Sequence, residues 1–485
     1  MELHNRRSFL KAASLGPLGL RLSAQQRASR PNIVYILADD LGSGDLPCYN
    51  PASAIPMPNT DLLATQGVRF TDMHSPSAVC TPTRYGILTG RYCWRSRLKE
   101  GVLWGYDRNL IEEGRLTVPA LLKKLGYTTA GVGKWHLGLG NREKTDYSQP
   151  LRPGPVDHGF DSYFGIPASL DMDPYVYFQN DRVLEEPTGQ TEGMNSPRGV
   201  FYRPGPAAPG FNHDEVLHTL TAKALGFLRD RAKSPADPFF LYFPLTAPHT
   251  PWLPSKPFRG RSKAGDYGDF AAQVDDAIGQ VMQAIEEGGL SENTVLIVTS
   301  DNGADWKLED KARYAHLANG TWRGEKADIW EGGHRIPFLA RWPGKIPKAS
   351  VCSDLGCLTD LMATLAAIIG QALPPDAGED SFNLLPSLLG TAHEPARHSI
   401  VHHSVNGMFS IREGEWKLAL GLGSGGFSPP QTVDPAPGGP TGQLYNLKDD
   451  PAERFNLYQK HPDVVDRLAT LLEKFQREGR TRSIP

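Results

Sequence analysis

Four short apolar runs, rich in β-branched and aromatic residues, recur along this chain of 485 residues and constrain its fold more than any other feature. They are NIVYILA at 32–38, YTTAGVG at 127–133, PFFLYFPL at 238–245 and NTVLIVTS at 293–300. Helical patterns such as TVPALLKKLG at 117–126 and FAAQVDDAIGQVMQAIEEGG at 270–289 lie between them. Strands that alternate with helices predict an α/β fold in which a parallel sheet lies between layers of helices.

The C-terminal part of the chain has a different pattern, which begins near 374–383 at the segment PPDAGEDSF. Short alternating segments at 408–422 and 442–447 predict strands, and the segment at 462–479 predicts a closing helix. This pattern is typical of a small antiparallel sheet with one helix. We therefore divide the chain into a main domain at 31–375 and a C-terminal subdomain at 376–485.

Each of the four predicted strands runs directly into polar or charged side chains. These are Asp39 and Asp40 after the first strand, Lys134 and His136 after the second, His249 after the third, and Asp301 and Asn302 after the fourth. Taken singly, an Asp pair often caps a helix or turn, and a lone His is more often structural than catalytic. Four such groups are harder to explain in this way, because ligands bind where the carboxyl ends of parallel strands meet.

A site for a hard cation is predicted from four of these residues, namely Asp39, Asp40, Asp301 and Asn302. Three carboxylates and one amide oxygen, with no thiolate or imidazole, suit Ca²⁺, or Mg²⁺ with added waters, and disfavour zinc. The basic side chains predict a ring that holds a tetrahedral anion, and they are Arg84, Lys134, His136, His249 and Lys326. Sulfate and phosphate esters are the substrates that such a ring would bind.

The segment CTPTR at 80–84, followed by YGILTGRY, resembles the Cys-x-Pro-x-Arg signature of the formylglycine-dependent sulfatase family. Other segments resemble further blocks of this family in the expected order: PNIVYILADDLGSGD, GKWHLG, PHTPW, TSDNG and GEKADIWEGGHRIP. The resemblance covers about residues 31–480 and is to arylsulfatase-type members of the alkaline-phosphatase-like superfamily. It implies a large mixed, mainly parallel sheet sandwiched by helices, with a smaller C-terminal α+β domain built on an antiparallel sheet.

The resemblance also implies a modified nucleophile and a metal. A formylglycine-generating maturation enzyme is expected to oxidise Cys80 to Cα-formylglycine, whose hydrated form attacks sulfur and later expels sulfate by elimination. One Ca²⁺ ion is expected to bind Asp39, Asp40, Asp301, Asn302 and the modified Cys80. Ser169, in the segment GIPASLD, resembles a further sulfate-binding hydroxyl.

The roles of the basic residues follow from the same resemblance. Arg84 is expected to hold the attacking hydroxyl, which Lys134 and His136 orient. His136 is then the candidate base for the elimination. His249 and Lys326 resemble the pair that binds sulfate and protonates the departing alcohol.

The first 30 residues predict an export signal. The segment NRRSFLKAASLGPLGLRLSAQQ places Arg6 and Arg7 before a short, weakly apolar stretch, with Ala24 as one plausible cleavage point. This order resembles a bacterial twin-arginine signal, the alternative being a disordered basic tail. We expect an exported protein, periplasmic or secreted, that uses the twin-arginine export machinery. Because that route carries folded proteins and formylglycine is installed on unfolded chain, maturation should precede export.

Bulk properties exclude several other classes of protein. The 51 basic and 54 acidic residues give a net charge of −3, which does not attract nucleic acid or an anionic membrane. No window offers the 18 or more continuous apolar residues of a membrane span, so we expect no stable membrane insertion. The five cysteines are too few for a disulfide framework, although the sequence leaves open a local bridge between Cys352 and Cys357.

The substrate's organic half is constrained least. Residues 146–212 are rich in Pro, Gly, Tyr and Asn, and form either a substrate-facing loop or a surface insertion. Two groups of side chains either line a sugar pocket or are surface structure, namely Asp171, Asp173, Tyr175 and Tyr177 in this segment and the pair His402–His403. An exported bacterial enzyme of this type most often resembles those that act on sulfated carbohydrate. We expect that or an aryl sulfate ester, with 6-O-sulfated galactose or N-acetylgalactosamine as the specific unit.

Two alternative functions stay open at this point. A phosphonate monoester or phosphodiester hydrolase of the same superfamily shares the signature and the metal site, although the ADDLGSGDLPCY segment is more similar to arylsulfatases. A catalytically silent carbohydrate-binding relative is disfavoured, because every expected catalytic position is filled. Relative rates on matched aryl sulfates and phosphate diesters would separate the first alternative from a sulfatase.

Overall fold

The computed structural model describes residues 30–391 and 394–483, and a ten-stranded main sheet lies at its centre. Its strands in spatial order are β15 (Ser350–Cys352), β2 (Val68–Phe70), β14 (Phe338–Arg341), β13 (Thr294–Ser300), β1 (Asn32–Asp39), β12 (Phe239–Pro248), β4 (Thr128–Lys134), β5 (Ser162–Ile166), β6 (Phe178–Gln179) and β7 (Arg182–Val183). The five strands from β13 to β5 are parallel, whereas β14, β6 and β7 run antiparallel to their neighbours. The prediction of a mixed, mainly parallel sheet is confirmed.

All four predicted strands lie in the parallel block. Their apolar runs are continuous because both faces of the sheet are covered, as is usual for parallel sheets. In β1, Ile33 and Tyr35 pack into the hydrophobic cluster on one face, whereas Val34 and Ile36 pack into the cluster on the other.

Helices cover both faces of the main sheet. The helices in the described residues are α1 (Pro58–Gln66), α2 (Cys80–Thr89), α3 (Val118–Lys124), α4 (Val216–Ala232), α5 (Gly265–Glu287), α6 (Leu308–Tyr314), α7 (Glu331–His334), α8 (Leu361–Ile368), α9 (Leu385–Leu389) and α10 (Pro462–Glu478). Leu220 of α4 and Ile278 of α5 belong to the cluster on one face, and Leu88 of α2 and Met362 of α8 belong to the cluster on the other. The helix predicted at 270–289 begins earlier, at Gly265.

The C-terminal part contains a four-stranded antiparallel sheet, which confirms the predicted fold class. Its strands are β17 (Ser399–His403), β18 (Phe409–Glu413), β19 (Trp416–Ala419) and β20 (Gln443–Asn446). Leu468 and Leu472 of α10 pack in one cluster with Ile400 and Ile411 of the sheet. The first strand, β17, was not predicted, because its two consecutive histidines hide its apolar pattern.

The C-terminal sheet contacts the segment that precedes α2. The main-chain N–H of Ala78 donates to the carbonyl oxygen of His403 at 3.2 Å, and the hydroxyl of Ser77 donates to the same oxygen at 3.2 Å. The last residue of β17 therefore helps to hold the backbone two residues before Cys80.

The segment at 146–212 is more structured than its sequence indicates. It contains β5, β6 and β7 of the main sheet, and two small antiparallel pairs. These pair β8 (Gly189–Thr191) with β11 (Gly205–Ala207) and β9 (Met194–Asn195) with β10 (Phe201–Tyr202). The other short strands, β3 (Met73–His74) and β16 (Gly356–Cys357), also pair with each other. Strands of two or three residues are too short to give a detectable periodicity.

Three further expectations concern the export signal, membrane-spanning helices and a disulfide bridge. The predicted export signal at 1–30 lies almost wholly outside the described residues. None of the helices in the described part has the length and apolar character that a membrane crossing needs. All five cysteines lie in the described part and are free, so Cys352 and Cys357 do not form a bridge.

Candidate active site

The carboxyl ends of β1, β4, β12 and β13 bring the predicted polar residues together. β1 ends at Asp39, β4 ends at Lys134, β12 ends directly before His249, and β13 ends directly before Asp301. The Lys134 Nζ lies 2.6 Å from the Asp39 carboxylate. Because these side chains come from separate strands, their convergence depends on the parallel order of the sheet.

Each of the three carboxylates in this group is paired with a buried cation. Lys134 pairs with Asp39, and Lys326 Nζ lies 2.8 Å from Asp40 Oδ2. The Arg84 Nη2 lies 2.8 Å from Asp301 and 3.3 Å from Asp39, and its Nη1 donates to the main-chain oxygen of Lys134 at 2.9 Å. The guanidinium of Arg84 is therefore fixed on three sides.

Cys80 is the first residue of α2, and the preceding residue Val79 is extended. Its thiol lies 3.6 Å from Asp39 Oδ1 and is 2% exposed. Every residue of α2 is buried, so this helix is held inside the molecule rather than on its surface. The fold thus points Cys80 at the carboxyl end of β1.

Burial and the neighbouring charges perturb the acidic groups of the site in different directions. Burial alone would raise the pKa of Asp39, but Lys134, His249 and Arg84 together hold this pKa below its ordinary value. Burial and the nearby Asp39 raise the pKa of Asp301. Burial raises the pKa of the Cys80 thiol to about 12, against the opposing effect of Lys134.

Asn302 supplies an oxygen that would suit a metal ion. Its Nδ2 donates to Asp40 Oδ1 at 2.6 Å, whereas its Oδ1 is buried without a hydrogen-bond partner among the described residues. Asp39, Asp40, Cys80 and His249 also place one ligand atom each within 4.8 Å of one another. A hard cation bound to the carboxylates would also provide a partner for Asn302 Oδ1. The residues present therefore fit calcium.

His136 has a defined tautomer. Its Nε2 lies 2.7 Å from the carbonyl oxygen of Leu103, and a carbonyl only accepts, so Nε2 carries the proton. The Nδ1 atom is buried and has no partner in the described part of the chain. Burial, together with Lys134 and Arg84, lowers the pKa of His136 well below its ordinary value, so the ring is neutral. The residue has a φ of +56°, a strained conformation that is typical of functional sites.

Ser169, His249 and Lys134 form a chain of hydrogen bonds beside the carboxylates. Lys134 Nζ donates to Ser169 Oγ at 2.7 Å, and Ser169 Oγ lies 3.3 Å from His249 Nε2. The other ring nitrogen of His249 donates to the carbonyl oxygen of Thr250 at 2.5 Å. His249 Nε2 therefore faces the site, where it lies 3.8 Å from Asp40.

The residues suggested for a sugar pocket differ in their surroundings. Asp171 lies two residues beyond Ser169 and forms an ion pair with Arg203. His402 and His403 are fully buried, so they are not surface structure. Sequence reasoning missed Arg203 and its neighbour Trp104, which is 48% exposed, because no motif marks either residue.

A second cluster of three buried histidines shares no residue with this site. His74, His334 and His402 place one ring nitrogen each within 4.8 Å of one another. However, the rings of His334 and His402 stack with centroids 3.7 Å apart and planes inclined by 13°. The lone pairs of two nearly parallel rings lie in separate planes and cannot converge on one ion, so this cluster does not fit a metal.

Comparison with known proteins agrees with this geometry. The family model described as Sulfatase matches residues 31–371. The N-acetylgalactosamine-6-O-sulfatase of Bacteroides thetaiotaomicron is 35% identical over 92% of this chain and 93% of its own length. Human arylsulfatase A is 36% identical over 90% of this chain and 85% of its own length.

A solved structure from work on the metabolism of multiple glycosaminoglycans by Bacteroides thetaiotaomicron has a TM-score of 0.83 and 34% identity. It covers 93% of this chain, and the match spans 100% of that structure. Both the family model and the relatives extend well beyond the Cys80 signature, so the likeness is not confined to one motif. The chain therefore belongs to the sulfatase family, whose members hydrolyse sulfate esters.

Proposed function

We propose that this protein hydrolyses sulfate monoesters of carbohydrates, with formylglycine derived from Cys80 as nucleophile and Ca²⁺ as its metal. The observation that carries the proposal is the position of Cys80, whose Sγ lies 3.6 Å from Asp39 inside the group of paired carboxylates and cations. The relative named N-acetylgalactosamine-6-O-sulfatase supports 6-O-sulfated N-acetylgalactosamine as the substrate unit, and 6-O-sulfated galactose is the other unit that we propose.

The proposed calcium ligands are Asp39, Asp40, Asp301, Asn302 and the modified Cys80. The partnerless Oδ1 of Asn302 supports this set, as does the absence of thiolate or imidazole among the other four side chains. Calcium, when bound, would neutralise charge on the substrate's sulfate group. Within the set, Asn302 Nδ2 holds Asp40 through its Oδ1 and Lys326 holds it through its Oδ2, so the protein fixes this carboxylate from both sides.

The nucleophile would be oriented by Arg84 and Lys134. Formylglycine, when hydrated, would supply one hydroxyl that attacks sulfur and a second hydroxyl whose proton loss lets the sulfate leave, whereas a serine sulfated in the same way would remain a stable ester. Arg84 is fully buried and its guanidinium is already fixed by Asp301 and Lys134, so it presents its positive charge without reorganisation. Lys134 bridges Asp39 and Ser169 and carries positive charge to the same position.

His136 is the proposed base. Its Nε2 proton is held by Leu103, so the free Nδ1 is the atom that would accept a proton. A neutral ring is required for this role, and burial next to Lys134 provides it by lowering the pKa of His136.

His249 and Lys326 are the proposed proton donors to the leaving alcohol. His249 Nδ1 is held by Thr250, so a proton would leave from Nε2, which faces Ser169. Lys326 holds Asp40 at 2.8 Å and brings a second cation to the same side of the site. Ser169, between Lys134 and His249, would bind a sulfate oxygen through its hydroxyl.

Processing and location form part of the same proposal. A formylglycine-generating enzyme would modify Cys80, and the twin-arginine machinery would then export the folded protein to the periplasm or the medium.

We assign the catalytic domain to 31–375 and the C-terminal subdomain to 376–485. Helix α10 and the antiparallel sheet, which share one hydrophobic cluster, support the second assignment.

Mass spectrometry of the tryptic peptide Phe70–Arg84 tests the nucleophile directly. Protein co-expressed with a formylglycine-generating enzyme should show Cys80 as the aldehyde or its hydrate, and should hydrolyse 4-nitrophenyl sulfate faster than a matched phosphate diester. Cys80→Ala should abolish turnover. A Cys80 that stays a thiol while a control sulfatase in the same cells is converted would refute the mechanism.

A further inference from the structure

Three side chains, Trp104, Asp171 and Arg203, lie together beside the candidate active site. The guanidinium carbon of Arg203 lies 4.7 Å from the centre of the Trp104 ring, and Arg203 Nη1 donates to the Asp171 carboxylate. We call these three residues the rim. They come from three separate loops, so only the folded chain brings them together.

The rim is joined to the catalytic residues through its immediate chain neighbours. Leu103, next to Trp104, donates its N–H to Thr81 Oγ1 at 3.1 Å and accepts from His136. Asp171 follows Ser169 by two residues. A ligand that reaches Ser169 and His136 is therefore adjacent to the rim.

The loop that carries Arg203 is fixed on the side of His249. Thr250, the next residue after His249, donates its hydroxyl to the carbonyl oxygen of Gly199 at 2.5 Å. The hydroxyl of Tyr175 donates to the carbonyl oxygen of Arg203 at 2.7 Å, and the N–H of Arg203 donates to the carbonyl oxygen of Asp171 at 3.1 Å. These bonds hold the backbone of Arg203 in place beside the site.

Asp171 has an unused acceptor. Asp171 is 4% exposed, and its Oδ2 binds Arg203. Its other carboxylate oxygen, Oδ1, has no hydrogen-bond partner among the described residues. A buried carboxylate oxygen without a partner is unfavourable, and such groups in folded proteins call for an explanation. A hydroxyl donor from a ligand would satisfy it.

Arg203 and Trp104 provide the complementary groups. The hydrogen bonds that the Arg203 side chain makes in the described residues all use Nη1, and about one-third of the side chain is exposed. Its remaining N–H groups can donate to a ligand oxygen. Trp104 is 48% exposed, which leaves part of its indole ring open to the C–H face of a sugar.

We propose that the rim is a subsite for the neutral, hydroxyl-bearing ring of the leaving sugar, and this inference rests on the proposed sulfatase function. One ring hydroxyl donates to Asp171 Oδ1, a neighbouring hydroxyl accepts from Arg203, and Trp104 packs on the ring. Because Oδ1 is covered in the free protein, binding of the hydroxyl requires a neighbouring side chain to move. An acidic sugar fits less well, since the Asp171 carboxylate would repel a second carboxylate.

The test compares two substrates that share the sulfate and differ in the ring. For wild type and each variant, kcat/KM is measured on galactose 6-sulfate and on 4-nitrophenyl sulfate, which lacks ring hydroxyls. Asp171→Ala should lower the ratio of the sugar value to the aryl value by about 10- to 100-fold, the usual effect of losing a hydrogen bond to a charged group. Asp171→Asn, which keeps an acceptor oxygen, should lower the ratio less.

Arg203→Gln provides a second variant if Asp171→Ala does not fold. It should lower the ratio of the galactose 6-sulfate value to the aryl value at least about fivefold. When a sulfated disaccharide that carries a uronic acid replaces galactose 6-sulfate, the ratio should fall by a similar factor. Asp230→Ala is the control and should leave the ratio unchanged, because the side chain of Asp230, near the end of α4, forms only an exposed ion pair with Lys233 in the described residues.

The outcomes separate this inference from the function on which it rests. Wild-type turnover of both substrates with an unchanged ratio in the Asp171 and Arg203 variants would overturn the subsite and leave the sulfatase function standing. A loss in Arg203→Gln that is confined to the uronic-acid substrate would overturn the neutral assignment. Wild-type turnover of neither sulfate by protein with modified Cys80 would overturn both proposals.

Discussion

Lys417 of β19 is a buried cation that joins the C-terminal sheet to the main domain. Its Nζ lies 3.0 Å from Glu331, the first residue of α7, and 2.9 Å from Glu453, and its side chain is 1% exposed. Glu331 also pairs with Arg335 at 2.9 Å. Lys417→Met, which keeps most of the unbranched apolar part of the side chain and removes its charge, would therefore leave Glu453 as the carboxylate without a cation.

The expected cost of Lys417→Met follows from this arrangement. Removing one partner of a buried ion pair destabilises a protein by about 3–5 kcal/mol, and we expect this loss in the free energy of unfolding at pH 8. Lys448→Met is the matched control. Lys448 lies 3.9 Å from Glu415 in an exposed pair, so its loss should cost about 0–1 kcal/mol.

The loss should also depend on pH. Burial raises the pKa of Glu453 to about 7, although Lys417 opposes this effect, so removing Lys417 raises this pKa further. Above about pH 7 the folded variant then holds a proton that the folded wild type and the unfolded chain release. The unfolding free energy of the variant should fall with rising pH, relative to wild type, by up to about 1.4 kcal/mol per unit.

Urea denaturation of both variants at pH 6.5 and 8.5, followed by tryptophan fluorescence, measures these differences. A destabilisation by Lys417→Met of under about 1 kcal/mol at pH 8.5, or one that does not grow with pH, would refute the reasoning. Adding Glu453→Gln to Lys417→Met should restore part of the stability, because it removes the group that must otherwise be charged without a cation or take up a proton.

Further predictions concern the catalytic and export machinery. Chelation should abolish turnover and added Ca²⁺ should restore it; full activity with no metal detected in the protein would contradict the proposed ligand set. His136→Ala should lower kcat on 4-nitrophenyl sulfate by about 10²- to 10⁴-fold, and a loss below about threefold would exclude its role as base. Changing Arg6 and Arg7 to Lys should stop export, so normal periplasmic recovery of the double variant would rule out the signal. Protein from an export-blocked strain should already carry modified Cys80, and an aldehyde found only after export would reverse that order.

The strands of the main sheet could be predicted where consecutive residues of the strand carry the pattern. A strand that is buried on both faces must be apolar along its length, and β1, β12 and β13 show this in consecutive residues. By contrast, β14 has four residues and pairs antiparallel with β13. Its existence depends on a partner far away in the sequence, which periodicity alone does not indicate.

The candidate site divides in the same way. Asp39, Lys134 and Asp301 follow strands directly, so the parallel order of the sheet was enough to predict that they meet. Trp104 and Arg203 lie on loops whose positions are set by tertiary hydrogen bonds such as that from Leu103 to Thr81. Of the two alternatives for His402 and His403, surface structure was wrong, because β17 packs beside the segment before Cys80 and both side chains are buried.

The contact between Ser77 and His403 can form only after most of the chain has been synthesised. The two residues are 326 positions apart, so a ribosome that adds about 5–20 residues per second takes about 15–65 s to proceed from one to the other. Throughout that interval the segment that leads into Cys80 lacks the strand that later holds it. An enzyme that modifies this cysteine on the growing chain therefore works within a time fixed by the length of the sequence between them, and slower translation of that stretch would lengthen it.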